Sequence, residues 1–481
     1  MTHLTYPAET LKRTKIVATL GPASDSPQIL EQLVKNGMNV ARLNFSHGTQ
    51  AWHLETAEKV RKVSEKLRKP IAIMQDLQGP KFRIGQLMEE KIDIKKGQKI
   101  VLFHGATQID DRIPVPMDMF PYLKPEDRIL IQDGIIRLSV ISVDKRKKEA
   151  LCEVRVANPI KSKKGMNIPD TKLPPMSLTE KDLDDLTITG KLNPDYVAFS
   201  FVQDVDDIYN LRKILSKHRN PPKIIVKLET REGVKNLEAI IKETDAIMVA
   251  RGDLAVEIDP ENVPLVQRQV IKLARKHHTP VIIATQMLES MVTSPEPTRA
   301  EVSDVATAIL EHVDAVMLSA ESATGMYPVE AVSMQKRIIK RVERHRHEFL
   351  TDFTLEVLEE STSQTTAVAG AASILAHQVK AALIVVETTS GKTASRVASY
   401  RPVTPIVAVT DEEKTSTQLA LVWGIKSFYY KTDTSVHTRS FILREIKRRG
   451  YVNTGDKIVY VTGARPHVIG GTNSIKVETI V

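Results

Sequence analysis

The chain has 481 residues, a formal net charge of +9 and one cysteine, Cys152. That length exceeds what one compact core serves and predicts two to four domains. The lone cysteine excludes an internal disulfide and fits a reducing cytoplasm. No run of eighteen apolar residues occurs, so no membrane span is expected, and residues 1–7 lack a basic-then-apolar signal pattern. The basic excess does not predict a nucleic-acid partner. Charges of both signs are interspersed and aromatic residues are only 5% of the chain, too few for a base-stacking platform. A basic balance instead suits handling of phosphorylated anions.

In chain order, an apolar run over 14–21 reads as a strand that ends in a Gly-Pro turn. A helical pattern follows over 25–36, with Ser24 or Asp25 as cap, Pro27 in its first turn and Gly37 at its close. A second strand is predicted over 39–45, then a helix to Arg68, then a third strand over 71–77. Similar runs recur at 196–202, 223–229, 246–252, 281–287 and 315–319, with helical stretches such as 264–277 and 298–312 between them. Eight strands alternating with helices predict an α/β protein built on a closed (β/α)8 TIM barrel.

One interval breaks this rhythm. From Pro80 to Leu173 the apolar period becomes that of strands, with a polar-apolar alternation over 90–103, a pair of strands over 128–139 joined at Asp133-Gly134, and a charged turn at 144–148. This predicts an all-β insert after strand three, entered at Gly79-Pro80 and left at Leu173-Pro174-Pro175, a two-strand tether that permits closure over the barrel mouth. From about Ser361, runs at 383–388, 405–410 and 456–463 read as parallel strands of a third, α/β unit. The predicted division is 1–80 with 173–345 as catalytic barrel, 81–172 as a β-barrel lid, and 346–481 as a C-terminal domain for effector binding and oligomerisation.

The chemistry is concentrated at two strand ends. The run over 223–229 ends with Lys227 and Glu229, and the run over 246–252 leads into Arg251 and Asp253. Ligands of parallel α/β proteins gather outside the carboxyl ends of the strands. Glu229 and Asp253 are placed to hold one divalent ion between neighbouring strands, with Lys227 facing whatever that ion grips. A hard cation such as Mg²⁺ takes a few carboxylates plus substrate oxygens, typically phosphate. The plainer alternative is a pair of salt-bridged strand ends. In the tail, Thr388, Thr389, Ser390, Gly391, Lys392 and Thr393 join a strand to a helix N-terminus and make a candidate anion site. They lack P-loop spacing, and an ordinary strand-to-helix turn is the alternative.

Six stretches together resemble the pyruvate kinase family: Thr14-Lys-Ile-Val-Ala-Thr-Leu-Gly-Pro-Ala-Ser24, Asn39-Val-Ala-Arg-Leu-Asn-Phe-Ser-His-Gly48, Ile247-Met-Val-Ala-Arg-Gly-Asp-Leu-Ala-Val-Glu257, Ala284-Thr-Gln-Met-Leu-Glu-Ser-Met291, Pro297-Thr-Arg-Ala-Glu-Val-Ser-Asp304 and Val316-Met-Leu-Ser-Ala-Glu321. The resemblance runs from about Lys12 to the C-terminus. It implies transfer of phosphate from phosphoenolpyruvate to ADP, giving pyruvate and ATP in glycolysis. It also implies Mg²⁺ or Mn²⁺ on Glu229 and Asp253, with Lys227 neutralising the phosphoryl group in flight. Thr285 falls near the enolate face, where it also reads as a helix-capping hydroxyl. The backbone of Ala250, Arg251, Gly252 and Asp253 falls at the substrate carboxylate. Arg42 and Arg83 fall at substrate and nucleotide phosphates, with Asn44 and His47 also on the nucleotide side. Ser319 and Glu321 fall in the proton-delivery network. Arg465 joins the 388–393 loop in the family's effector region, which implies a phosphorylated effector, and the family is mostly a homotetramer.

The loop Gln75-Asp-Leu-Gln-Gly-Pro-Lys-Phe-Arg83 departs from many relatives, which carry glutamate where Lys81 stands and hold K⁺ with groups matching Asn44, Ser46, Asp76 and the carbonyl of Leu77. Lys81 is expected to replace that monovalent ion, so that K⁺ is not required; the alternative is a solvent-facing Lys81 with K⁺ bound. Taken by itself, His47 reads as a polar loop residue that bonds backbone. Two rival functions remain, a metal-dependent aldolase acting on enolpyruvate chemistry and a non-catalytic regulatory relative. The first needs no β lid, and the second predicts eroded ligands, which are all present.

Overall fold

The computed structural model describes residues 12–132, 134–171, 178–345, 363–430, 438–463 and 471–481. Eight parallel strands close into a barrel in chain order: Lys15–Leu20, Val40–Asn44, Ala72–Asp76, Tyr196–Phe199, Lys223–Leu228, Ala246–Ala250, Val281–Ala284 and Ala315–Leu318, the last pairing back onto the first. Nearly every residue of these strands is buried, which is why they read as continuous apolar runs. Alternation still sorts them. Val17, Val40, Met74, Ala198, Ile225, Met248 and Ile282 form one cluster with Tyr196. Ile16, Ala18, Ala41, Leu43, Ile73, Ile247 and Ile283 join the larger layer beneath the helices. That period of two is the inside-outside alternation of a packed barrel.

Helix boundaries follow their caps. The first helix, Pro27–Asn36, is capped by Ser26, whose Oγ accepts from the amide of Ile29, and it ends at Gly37 with φ 116°. The expected caps lie elsewhere: the Gly21 amide donates to Ser24 Oγ, and Asp25 accepts from the indole of Trp52. The second helix, Gln50–Leu67, starts from Thr49 and stops at Arg68 in the left-handed region.

The insert has its own core, containing Phe82, Leu102, Phe120, Ile131, Leu138, Val154 and Cys152. Burial pushes the Cys152 thiol up to about 12, so it behaves as a small hydrophobe. The insert is a seven-stranded mixed sheet in the order Phe82–Arg83, Gly165–Asn167, Arg128–Ile131, Ile136–Asp144, Glu149–Val156, Lys99–His104, Ile113–Val115. Its two edge strands share no ladder, but the chain just after Phe82–Arg83 reaches the far edge: the Gly85 amide donates to the Pro114 carbonyl at 2.8 Å, and Gln86 bridges Thr107. Asp133 of the turn and Leu173-Pro174-Pro175 of the exit lie outside the described residues.

The C-terminal sheet has five strands, ordered Ile425–Tyr429, Ile406–Thr410, Leu383–Glu387, Lys457–Gly463, Thr472–Thr479. The first and last were not anticipated; the last pairs antiparallel and carries only a short alternation, with Ile475 and Val477 between Ser474, Lys476 and Glu478. This domain seats on the barrel end remote from the strand carboxyl termini. Ala420 and Leu421 join the barrel-interior cluster, the Tyr196 hydroxyl donates to the Gln418 carbonyl, and the Arg401 guanidinium pairs with Asp314. The opposite mouth is left to the insert.

Candidate active site

Strand five delivers Lys227 and then Glu229 to the mouth. Lys227 Nζ lies 3.0 Å from Glu229 Oε1 and 3.4 Å from Asp76 Oδ1, and it donates to Ser200 Oγ at 2.7 Å. Burial alone would lower this amine's pKa, but Asp76 and Glu229 outweigh that and hold it above the ordinary lysine range. Lys227 therefore stays a fixed positive charge. Glu229 is 1% exposed; burial raises its pKa while Lys227 opposes the shift. Its other oxygen accepts from the Phe201 amide at 2.9 Å.

Arg42, in the middle of strand two, donates through Nε to Asp76 Oδ2 at 2.6 Å and through Nη1 to Thr19 Oγ1 at 2.9 Å. Asp76, at the end of strand three, thus sits between Arg42 and Lys227. Asn44 pairs in register with Asp76 and accepts from the Ser46 amide. The Leu77 carbonyl accepts from Ser200 Oγ at 2.7 Å. Ser200 therefore links Lys227 to the Asp76-Leu77 turn. Sequence reasoning missed Ser200 because it looked for charge at strand ends; its place directly after strand four was the signal available.

Asp253 lies in the helix Arg251–Ile258, directly after strand six. Ala250 precedes it with no side-chain cap of its own, which leaves first-turn amides to be met from outside the helix. The Gly252 amide donates to Thr285 Oγ1 at 2.9 Å, so Thr285 caps this neighbouring helix, not its own turn. Thr285 and Gln286 both hold positive φ, 68° and 55°, a costly arrangement for two successive residues with side chains. The guanidinium of Arg251 braces them by donating to the Thr285 carbonyl at 2.8 Å, while its other arm pairs with Asp304 at 2.7 Å. Glu321 is fully buried and accepts from the amides of Leu288 and Ser319; burial raises its pKa.

The structure brings Lys81 to Asp253, with Nζ 2.6 Å from Oδ1, and not to Asn44, Ser46, Asp76 or the Leu77 carbonyl. Arg83 sits on the insert and donates to the Lys163 carbonyl. It is the backbone carbonyl of His47 that engages the His53 ring; the His47 residue keeps a large solvent-facing surface, and partial desolvation of its ring, with the charges of Arg83 and Arg42, lowers its pKa. A cleft of about 360 Å³ between insert and barrel is lined by Lys81, Phe82, Asn167, Phe201, Arg231 and Glu257 among others, and adjoins Glu229 and Asp253 without including them. In the tail, Thr388 Oγ1 accepts from the Gly391 amide, Gly391 has φ 79°, and the helix Lys392–Ser399 follows. Arg465 lies outside the described residues.

The donor set fits a hard cation. Glu229 and Asp253 offer oxygen only, and among the described residues no group of three or more His, Cys, Asp or Glu is gathered as a metal cage. Two carboxylates with the other positions left to substrate oxygen and water is the usual protein share for Mg²⁺.

A closed parallel barrel with lysine, arginine and carboxylates converging at its carboxyl mouth defines the class: an enzyme of the TIM-barrel architecture, with a mixed-sheet insert and an α/β tail. A family model described as the pyruvate kinase barrel domain matches residues 11–332, and one for the pyruvate kinase alpha/beta domain matches 366–478. The chain is 42% identical over 475 residues to the pyruvate kinase of Agrobacterium vitis, covering 97% of this chain and 98% of that one. It is 39% identical to pyruvate kinase 2 of Synechocystis, covering 98% and 79%, and 40% identical to the pyruvate kinase of Staphylococcus saprophyticus, covering 98% and 81%. The chain belongs to the pyruvate kinase family, a family of phosphotransferase enzymes. A match across barrel, insert and tail does not favour an aldolase or a non-catalytic relative. No helix among the described residues is long and apolar enough to cross a membrane.

Proposed function

We propose that this chain transfers the phosphoryl group of phosphoenolpyruvate to ADP in cytoplasmic glycolysis. The observation that carries the reading is the buried Lys227 ammonium, held between Asp76 and Glu229 at the barrel mouth beside Asp253. Phosphoryl transfer asks a protein mainly for positioned charge. Lys227 supplies a permanent positive charge at a point that Ser200, Asp76 and Glu229 fix from three sides. Glu229 and Asp253 would hold Mg²⁺ or Mn²⁺, which neutralises phosphate oxygens when bound. Arg42, aimed by Asp76 and Thr19, presents its remaining donors to a phosphate. The first-turn amides over 250–253 receive the substrate carboxylate; Gly252 lacks a Cβ, which lets that group approach. Thr285, held at the same turn, orients toward the enolate face, with Ser319 and Glu321 behind it.

The nucleotide falls to Asn44, His47 and Arg83, the last carried by the insert. The monovalent role is also a proposal. Asp76 is already matched by Arg42 and Lys227, and Lys81 adds a tethered charge at the mouth, so K⁺ is not needed. The 388–393 loop with Arg465 is proposed as a phosphorylated-effector site, the tail as an oligomerisation domain, and the assembly as a homotetramer. The test is a lactate-dehydrogenase-coupled assay with phosphoenolpyruvate, ADP and Mg²⁺. Pyruvate formation that needs all three supports the reading; absence of pyruvate from folded protein overturns it.

A further inference from the structure

The helix Arg251–Ile258 and the residue after it hold the insert against the barrel by three polar contacts. Asp253 pairs with Lys81 at 2.6 Å, Glu257 accepts from Asn167 Nδ2 at 3.1 Å, and Asp259 pairs with Arg128 at 3.2 Å. The Lys81 contact differs from the others, because its carboxylate is also a proposed metal ligand. Lys81 and Asp253 have side chains 21% and 24% exposed, shielded enough for the pair to be more than a solvated surface contact. The lysine stem is also confined. A Cβ on Gly165 would come within 2.9 Å of Lys81 Cε, so the glycine at that point of the facing strand leaves the channel through which Lys81 reaches Asp253.

We propose that Lys81 is a tethered counter-ion of Asp253, which must leave that carboxylate before a divalent ion can bind there, and that it sets the divalent concentration at which the enzyme loads. The inference rests on the reading of Glu229 and Asp253 as metal ligands. Its physical basis is that an ammonium at 2.6 Å and a divalent ion at about 2.1 Å cannot share Oδ1 without strong like-charge repulsion. Lys81 has somewhere to go: it lines the 360 Å³ cleft, whose walls also carry Glu232 and Glu257. Because Lys81 directly precedes the insert strand Phe82–Arg83, its release removes one of the three ties on the insert.

The test measures Mn²⁺ binding to the substrate-free full-length protein, by electron paramagnetic resonance of the free ion, for native protein, K81M, K81Q, D253N and the control K235M. Lys235 lines the same cleft, so its loss reports the general effect of removing a nearby charge. K81M and K81Q are expected to bind Mn²⁺ about three- to tenfold more tightly than native protein, and K235M within about twofold. A second readout is acetylation of Lys81 by acetic anhydride, followed by mass spectrometry. Mg²⁺ should speed it in native protein, and D253N should show the faster rate without Mg²⁺. Native-like or weaker Mn²⁺ binding in both Lys81 variants, an equal gain in K235M, or labelling indifferent to Mg²⁺ overturns the counter-ion role. If native protein shows no Mn²⁺ site that D253N removes, the ligand reading falls with it. An intact site with unchanged affinity in K81M overturns the Lys81 role alone.

Discussion

Replacing Lys227 by methionine keeps the side chain's length and removes its charge. The ammonium now lies 3.0 Å and 3.4 Å from two buried carboxylates. At an effective dielectric of about 20, each contact is worth about 5 kcal/mol of Coulomb attraction before the cost of burial is taken off. Breaking such a pair by removing one partner leaves a net loss of about 3–5 kcal/mol. Asp76 keeps Arg42, and Glu229 keeps the Phe201 amide, so the lower end applies and the variant should fold with a reduced unfolding midpoint. The catalytic loss is separate. Without the charge that faces the transferring phosphoryl group, turnover should fall by roughly 10³-fold, about 4 kcal/mol of barrier. Metal affinity should change much less, because Glu229 and Asp253 are both intact. The coupled assay gives turnover, direct Mn²⁺ titration gives affinity, and circular dichroism confirms the fold. A folded variant within about tenfold of native turnover would show that Lys227 is structural and would refute the charge argument.

Asp253→Ala should weaken Mg²⁺ and phosphoenolpyruvate binding together, since the ion bridges protein to substrate; an unchanged metal dependence of turnover would count against Asp253 as a ligand. Native enzyme in tetramethylammonium buffer should turn over about as well as with added K⁺, whereas Lys81→Glu should lose activity there and regain part of it with K⁺. An enzyme silent until K⁺ is added would show that tethered charge does not substitute for the ion. His278 has its pKa lowered to about 4 by burial and by the charges of Arg396 and His277, and its ring bonds Ser399 across the barrel–tail boundary. The unfolded chain therefore binds the extra proton first, and stability should fall as pH drops from about 6.5 toward 4, by at most about 1.4 kcal/mol per pH unit. His278→Asn, which tolerates the left-handed φ of 57°, should show a shallower loss of urea midpoint between pH 7 and pH 5; an equal loss in both proteins would assign the effect elsewhere.

The barrel was legible because its strands are buried on both faces and its helices carry their own punctuation. Val17, Ala41, Ile73 and Ile247 belong to apolar runs that no surface segment would carry, and Gly37 at φ 116° is where a glycine after a helical pattern should fall. The last tail strand, Thr472–Thr479, was hidden for the converse reason. It is an edge strand with exposed Asn473, Lys476 and Val477, held by backbone pairing to Lys457–Gly463. A short polar-apolar alternation over Ser474-Ile-Lys-Val-Glu478 was the signal available, but neither Ile475 nor Val477 is fully buried. Cap identity was misplaced by one or two residues because Ser24, Asp25 and Ser26 all have capping chemistry, and only tertiary partners decide which is free to use it. Ser24 is engaged with Gly21, Asp25 by Trp52, and Ser26 is left for the helix.

The site divides along the same line. Charges at strand ends, Lys227, Glu229, Arg251 and Asp253, follow from position in the sequence, because the mouth of a parallel barrel is where a charge can be kept, whereas Arg42 and Asp76 were reached through the family resemblance. Their mutual arrangement does not follow. Nothing in the order of residues says that Thr285 caps the helix of Asp253, that Ser200 spans Lys227 and the Leu77 carbonyl, or that Lys81 ends on Asp253. Those contacts depend on which loop ends the closed barrel sets side by side. Lys81 shows the consequence most clearly. A lysine in place of a glutamate adds a positive charge wherever it lands, and the family resemblance assigns that charge to the monovalent-ion pocket around Asp76. The fold offers a second acceptor. Asp76 already lies between Arg42 and Lys227, while Asp253 has no other ion-pair partner among the described residues. Electrostatic demand selects Asp253.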